Sequence, residues 1–222
     1  MTRSRNRPHG VVRGGERSES ASYHFRTLPD YLAPGLALVF VGINPGLFSV
    51  QRGHYFARRT SRFWPALSRS ALSAPIRASL GREVLGPEDD SALLSFGIGF
   101  TDVVKVPSAN AREVRPAHFK TWAPRLLARL RTYQPGVACF HGLTAYRGFT
   151  RYALADARAN WTLGAQPLSI GQTRVFAVPN PSPANAHFRL EDQVVWYDRL
   201  AEFLQNLPGA TGTGWAPHPE SQ

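Results

Sequence analysis

Residues 36–46 read LALVFVGINPG, six apolar residues closing on a turn-forming pentapeptide. An unbroken apolar run of that length ending in glycine is the pattern of a strand buried on both faces of a parallel sheet. Gly136–His141 (GVACFH) and Arg174–Val178 (RVFAV) read the same way. The stretches between them are amphipathic. Ser61–Leu72 sets Phe63, Trp64, Leu67 and Leu72 near helical spacing, with Ser61 as a candidate N-cap and Pro65 tolerable only in the first turn. Pro116–Tyr133 carries Phe119, Trp122, Leu126, Leu127 and Leu130, a helix that Pro124 is expected to break or kink. Leu190–Leu207 carries Val194, Val195, Tyr197, Leu200, Phe203 and Leu204, with Glu191 and Asp192 near its positive end. Strands separated by helices predict an α/β layered fold with a mainly parallel sheet.

Outside this alternation the sequence changes character. Met1–Ser22 is built of Arg, Ser, Glu and Gly and reads as a flexible basic arm, and Pro208–Gln222 reads as a flexible tail, leaving 23–207 as one folded domain. A chain of 222 residues with 43% hydrophobic content suits one large domain rather than two. Its 26 basic against 15 acidic residues give a net charge of +11, which favours a polyanionic partner, nucleic acid first. Only Lys105 and Lys120 are lysines; the other 24 basic residues are arginines. A single cysteine, Cys139, excludes an internal disulfide and a four-cysteine iron–sulfur or zinc site, and its place in an apolar run reads as core. No apolar run reaches membrane-spanning length and the basic N-terminus has no apolar segment behind it, so a cytoplasmic, nucleoid-associated protein with no membrane contact is expected.

In open α/β sheets the ligand crevice lies beyond the carboxyl ends of the strands. Gly42-Ile43-Asn44-Pro45-Gly46 follows the first strand, and Pro179-Asn180-Pro181-Ser182-Pro183-Ala184-Asn185 follows the last. Asn44 places an amide at a strand end, where it can hold a water but cannot take up a proton. The loop lacks the glycine spacing and the lysine of a phosphate-binding loop, which argues against nucleotide-dependent chemistry. Taken alone, Asn-Pro-Gly is an ordinary turn.

The longer stretch GINPGLFSVQRGHYFARRTSRFW (residues 42–64) resembles the first motif of the mismatch-specific uracil-DNA glycosylase and thymine-DNA glycosylase family. Members have Gly-Ile-Asn-Pro-Gly-Leu, then a glycine and an aromatic, then a helix beginning near Asn-Arg-Phe-Trp; the counterparts here are Gly53, Phe56 and Arg62-Phe63-Trp64. The likeness continues through GIGFTDVVK (residues 97–105), Tyr133-Gln134-Pro135, His141-Gly142 and Pro179-Asn180-Pro181-Ser182, covering about Leu36 to Leu204. It implies a three-layer α/β/α domain, monomeric and without a cofactor or metal, that binds double-stranded DNA containing uracil or a mismatched pyrimidine. Such a protein flips the base out and hydrolyses its N-glycosidic bond.

Base flipping needs phosphate grips, a stacking surface and a wedge for the vacated space. By resemblance Asn44 positions the hydrolytic water and Phe56 stacks on the base, core packing being the plainer role for that ring. Ile43, Gly46 and Asn180 join the base-binding set, with backbone N–H groups beside Asn44 and the Asn180 side chain receiving the carbonyl oxygens of the leaving base. Ser49 falls near the 5-position of the base, where its hydroxyl should favour uracil over thymine. Asn180 stands where related enzymes with a His-Pro-Ser-Pro motif have histidine. The wedge and backbone contacts should come from Ser182, Pro183, Ala184, Asn185, Ala186 and His187, although Pro183–Ala186 are small where the family has Leu or Arg. Asp102 departs from the amide or lysine found more often there. It reads either as a second catalytic group, stabilising an oxocarbenium-like state and taking a proton from water, or as a capping or salt-bridging aspartate paired with Arg or Lys105. Asp89 and Asp90, in a Pro- and charge-rich loop, read as solvated surface. No lysine matches a Schiff-base role, so water is the expected nucleophile and the strand is left uncut. A noncatalytic basic DNA-binding module is the alternative; the polar residues at both strand ends argue against it.

Overall fold

Strand β1 (Leu38–Gly42) is buried along its whole length because it lies inside a five-stranded sheet of order β2-β1-β3-β5-β4, covered on both faces. The computed structural model describes residues 24–155 and 161–207; the basic arm and the C-terminal tail read from the sequence lie outside them. β2 (Ile98–Asp102), β3 (Val137–His141) and β5 (Thr173–Val178) run parallel to β1, and β4 (Gly164–Ile170) is an antiparallel edge strand. Side chains alternate along β1 as strand geometry requires. Leu38 and Phe40 pack with α2 (Phe63–Arg69), α3 (Ala74–Leu80) and α6 (Leu190–Gln205). Val39 and Val41 pack on the other face with α4 (Pro116–Tyr133) and α5 (Leu143–Ala153). The result is the expected three-layer α/β/α fold with a short, mainly parallel sheet.

Several local expectations need correction. Ser61–Leu72 is not one helix: α2 ends at Arg69, a 3-10 turn spans Ala71–Ser73, and α3 follows. Arg62 holds the N-cap position, while Ser61 Oγ accepts from the Phe63 N–H at 3.3 Å. α4 continues through Pro124, which is exposed, so water can serve the Lys120 carbonyl that proline leaves without its helical donor. In α6, Val195 points outward at 47% exposed, and Gln193 is buried in the layer instead. Asp192 does cap that helix, accepting the Arg189 N–H at 2.7 Å. Asp89 and Asp90 are buried, not solvated: Asp89 accepts the Gly86 N–H and pairs with Arg82, and Asp90 pairs with His54.

The sheet order fixes where a crevice can open. From β1 the chain passes to β2 on one side, then crosses back to β3 on the other. The carboxyl ends of β1 and β3 are therefore a switch point, where departing connections leave a gap. Glycines stand at both ends. A Cβ on Gly42 would collide with Asp102 Oδ1, and Gly142, at φ 91°, would carry its Cβ 3.0 Å from Asn180 Cβ. A side chain at 42 would displace the Asp102 carboxyl, and one at 142 would be strained by its backbone and crowd Asn180.

Candidate active site at the strand ends

A cavity of about 660 Å³ opens at this switch point, lined from every element that ends there. Its volume falls in the range of small-ligand sites. Asn44 enters from the β1 exit. Its Nδ2 donates to Val106 O at 3.0 Å, to Ser108 Oγ at 2.8 Å and, more weakly, to Pro45 O at 3.3 Å. Two of these partners are backbone carbonyls, which only accept, so the amide can face them only with its nitrogen. The carbonyl oxygen Oδ1 is left as the end free to meet a ligand. Ser108 is itself fixed, donating to Asn110 O at 2.8 Å while its backbone joins Pro45 and Leu47. Its part was not visible in the sequence, because it lies 64 residues from the amide it orients.

Phe56 forms a wall. Its ring stacks on Phe63 at 4.2 Å and 9°, and because it also lines the cavity, its second face is the one available to a ligand. Packing and exposure are thus combined in one half-buried ring. Its backbone is held at φ 52°, a left-handed conformation costing about 1–3 kcal/mol for a non-glycine residue. The flanking peptides hold it there. Asp90 Oδ2 accepts the Tyr55 N–H at 2.8 Å, Trp64 Nε1 donates to Tyr55 O at 3.0 Å, and Ser49 Oγ accepts the Ala57 N–H at 3.2 Å. Ser49, in α1 (Leu47–Arg52), therefore lines the cavity with a hydroxyl already engaged in fixing the Phe56 loop. Ile43 and Gly46 line the same side.

Asp102 ends β2 opposite Gly42 in the β1 register. It is 3% exposed, and its Oδ2 has no hydrogen-bond partner. Burial pushes its pKa up to about 7, against the opposing pull of Lys105. The carboxyl is thus poised to change protonation near neutrality. Of the two readings of Asp102, the salt-bridging one with Lys105 is not what forms: the Lys105 ammonium, fully buried, donates to Asp30 at 2.9 Å and sits 3.5 Å from the Tyr55 hydroxyl. Burial alone would raise the Asp30 pKa, but Lys105 and Arg129 beside it hold it below the ordinary carboxylate value. His141, noted in the sequence only as a strand end, also lines the cavity. Its Nε2 lies 2.9 Å from the Tyr197 hydroxyl and Nδ1 has no partner, while burial drives its pKa down to about 3, so the ring is neutral.

The opposite wall is the loop after β5. Asn180 Oδ1 accepts the Ser182 N–H at 2.9 Å, which leaves the Asn180 Nδ2 as a donor beside the cavity. Asn185 Nδ2 donates back to Asn180 O at 3.0 Å, so this side chain braces its own loop. Ser182, Pro183, Ala184 and Asn185 line the cavity; Ala186 and His187 do not, and both are exposed. Arg58 and Arg112, exposed, complete the mouth. Cys139 is a buried core residue of β3, and among the described residues no His, Cys, Asp or Glu cluster could hold a metal. No described helix is long and apolar enough to cross a membrane.

A three-layer α/β/α sheet with a crevice at its switch point is a common setting for a small-ligand site. The profile of the Uracil DNA glycosylase superfamily matches residues 29–204, and the chain belongs to that superfamily. Membership places the chain among the DNA glycosylases, glycosidases of base excision repair that act on DNA.

Proposed function

We propose that the protein is a monofunctional glycosylase of the mismatch-specific type, active as a monomer, which flips uracil, best opposite guanine, out of double-stranded DNA. It hydrolyses the N-glycosidic bond and leaves an abasic site. The observation that carries this reading is the Asn44 amide in the cavity lining, held through its Nδ2 by Val106 and Ser108, which leaves its oxygen as the end free for a ligand. An oxygen so placed accepts a hydrogen bond from a water and aims the water's lone pair elsewhere. The flipped base stacks on the open face of Phe56, and the Asn180 Nδ2 donates to a carbonyl oxygen of the base.

As the N1–C1′ bond breaks, its electron pair passes to the base and positive charge grows at C1′. Water supplies the oxygen that joins C1′ and gives up a proton. Asp102, ionised above about pH 7, accepts that proton and stabilises the cationic sugar. Lys105 is buried against Asp30 and Lys120 does not line the cavity, so neither lysine is placed to form a Schiff base and water remains the nucleophile. Arg58 and Arg112 at the mouth grip phosphates, and the protein works in the cytoplasm on the nucleoid.

The test is a panel of labelled duplexes carrying uracil, thymine and damaged pyrimidines opposite each base. Release of uracil to give an alkali-labile site, without a borohydride-trapped adduct, is expected. Tight binding of the same duplexes without base release would support a noncatalytic module, and a trapped adduct would overturn the monofunctional mechanism.

A further inference from the structure

An arginine beside a DNA-binding cavity invites assignment to a phosphate, yet Arg62 spends its hydrogen bonds inside the protein. Its backbone N–H donates to Pro181 O at 2.9 Å. Its guanidinium NH1 donates to Ser182 O at 2.8 Å and to Asn185 O at 3.2 Å. All three acceptors are carbonyls of the loop after β5. The next residue, Phe63, is the ring on which Phe56 stacks. Residues 62 and 63 thus join the two walls of the cavity, the stacking wall and the wall bearing Asn180, at the start of one helix.

We propose that Arg62 is a positioning residue for the leaving base: it fixes the 181–185 backbone so that the Asn180 amide stands where the base carbonyl will develop charge. The inference rests on the glycosylase reading above and names how that site is preorganised. Two features of the loop support it. The side chains of Pro183, Ala184 and Ala186 are short and carry no hydrogen-bonding group with which to anchor the loop to the domain. Its remaining braces are internal, from Ser182 and Asn185 to Asn180 and from Asn185 N–H to Ser182 O, so they shape the loop without attaching it to the domain. Arg62 makes that attachment from outside. A charged donor to neutral carbonyls is among the stronger hydrogen bonds a side chain makes, and one guanidinium reaching two carbonyls fixes orientation as well as distance.

The experiment is single-turnover excision from duplexes carrying uracil or 5-fluorouracil opposite guanine, with wild type, Arg62→Ala, Arg62→Lys, Asn180→Ala and the double variant Arg62→Ala/Asn180→Ala. Fluorine makes the departing base a better anion and lessens its need for a donor. Arg62→Ala should slow uracil release by about 10- to 100-fold, the scale of a misplaced catalytic group, and slow 5-fluorouracil release distinctly less. Arg62→Lys, keeping the charge but able to reach one carbonyl, should recover part of the rate, and it serves alone if the alanine variant fails to fold. The double variant should be no slower than Asn180→Ala. Equal loss on both bases, or additive losses, would overturn the inference. So would an unchanged rate with weaker binding and a salt slope reduced by about 1, the mark of a phosphate contact. Wild type inactive on both duplexes would instead overturn the glycosylase reading on which the inference stands.

Discussion

Replacing Asp102 by Asn should stabilise the fold in alkaline buffer while destroying its chemistry. In the folded protein the carboxyl ionises near pH 7; the ordinary value is 3.8. At 1.36 kcal/mol per pH unit, keeping this buried group charged costs the fold about 4 kcal/mol once both states are ionised. A raised pKa favours the protonated folded state, so the wild type has this contribution in full below pH 3.8 and loses it as the pH rises through 7. Asparagine is neutral throughout. It also places an amide nitrogen or oxygen where Oδ2 has no partner, as the protonated acid does, so the two should be nearly equal at low pH. Urea unfolding of both proteins at pH 4, 6 and 8 measures the difference. The variant should gain roughly 2–4 kcal/mol relative to wild type between pH 4 and pH 8, with most of the change above pH 5. Its single-turnover excision rate should fall by about 10²-fold or more, and the rise of rate through pH 7 expected of wild type should vanish. A stability difference that does not move with pH would refute the argument that burial holds this carboxyl at the edge of ionisation. A near-normal rate in the folded variant would remove Asp102 from the mechanism.

Gly42→Ala places a methyl group against Asp102 Oδ1, so the carboxyl must turn away; excision should drop by about 10-fold or more with the fold retained, and an unaffected rate would show that the orientation of Asp102 is immaterial. Thymine opposite guanine should be released more slowly than uracil, because Ser49 and the Phe56 loop it holds leave a fixed wall beside the base; equal rates in the duplex panel would sink that pocket assignment. Asp90→Ala removes the acceptor of the Tyr55 N–H and should lower stability by about 1–3 kcal/mol in denaturant titrations, with no change expected if the Phe56 backbone needs no such support.

What could be read beforehand follows the range of the interactions involved. β1, β3 and β5 announce themselves because a doubly covered strand must be apolar at every position, and Asn44 and Asn180 follow from standing just past such strands. β4 does not, since an edge strand with one exposed face and Pro167 in it carries little apolar signal. α5 was equally silent: Gly148 breaks its pattern, and the reason for that glycine is the Phe119 ring of α4 lying against it. The burial of Asp90 cannot be inferred from a run of charge, because the group it satisfies, the Tyr55 N–H, belongs to a loop 35 residues away. The roles of Ser108 and Arg62 are likewise set by partners 64 and 120 or more residues distant in sequence. Local pattern finds the strand ends; the partners that hold the site in shape come from elsewhere in the chain.

The fate of the two lysines has a consequence for control of the enzyme. Lys105 is sealed in the interior with Asp30, which leaves Lys120, exposed on α4, as the one lysine amine on the described surface. The positive charge that meets DNA is therefore guanidinium charge, which does not titrate below about pH 12 and is not discharged by lysine acetylation. The guanidinium share of the attraction to the polyanion stays constant up to about pH 12 and through changes in lysine acylation. A rise or fall of excision between pH 7 and 9 is then not owed to loss of arginine charge, so the ionisation in the crevice is read against a background whose guanidinium part does not change.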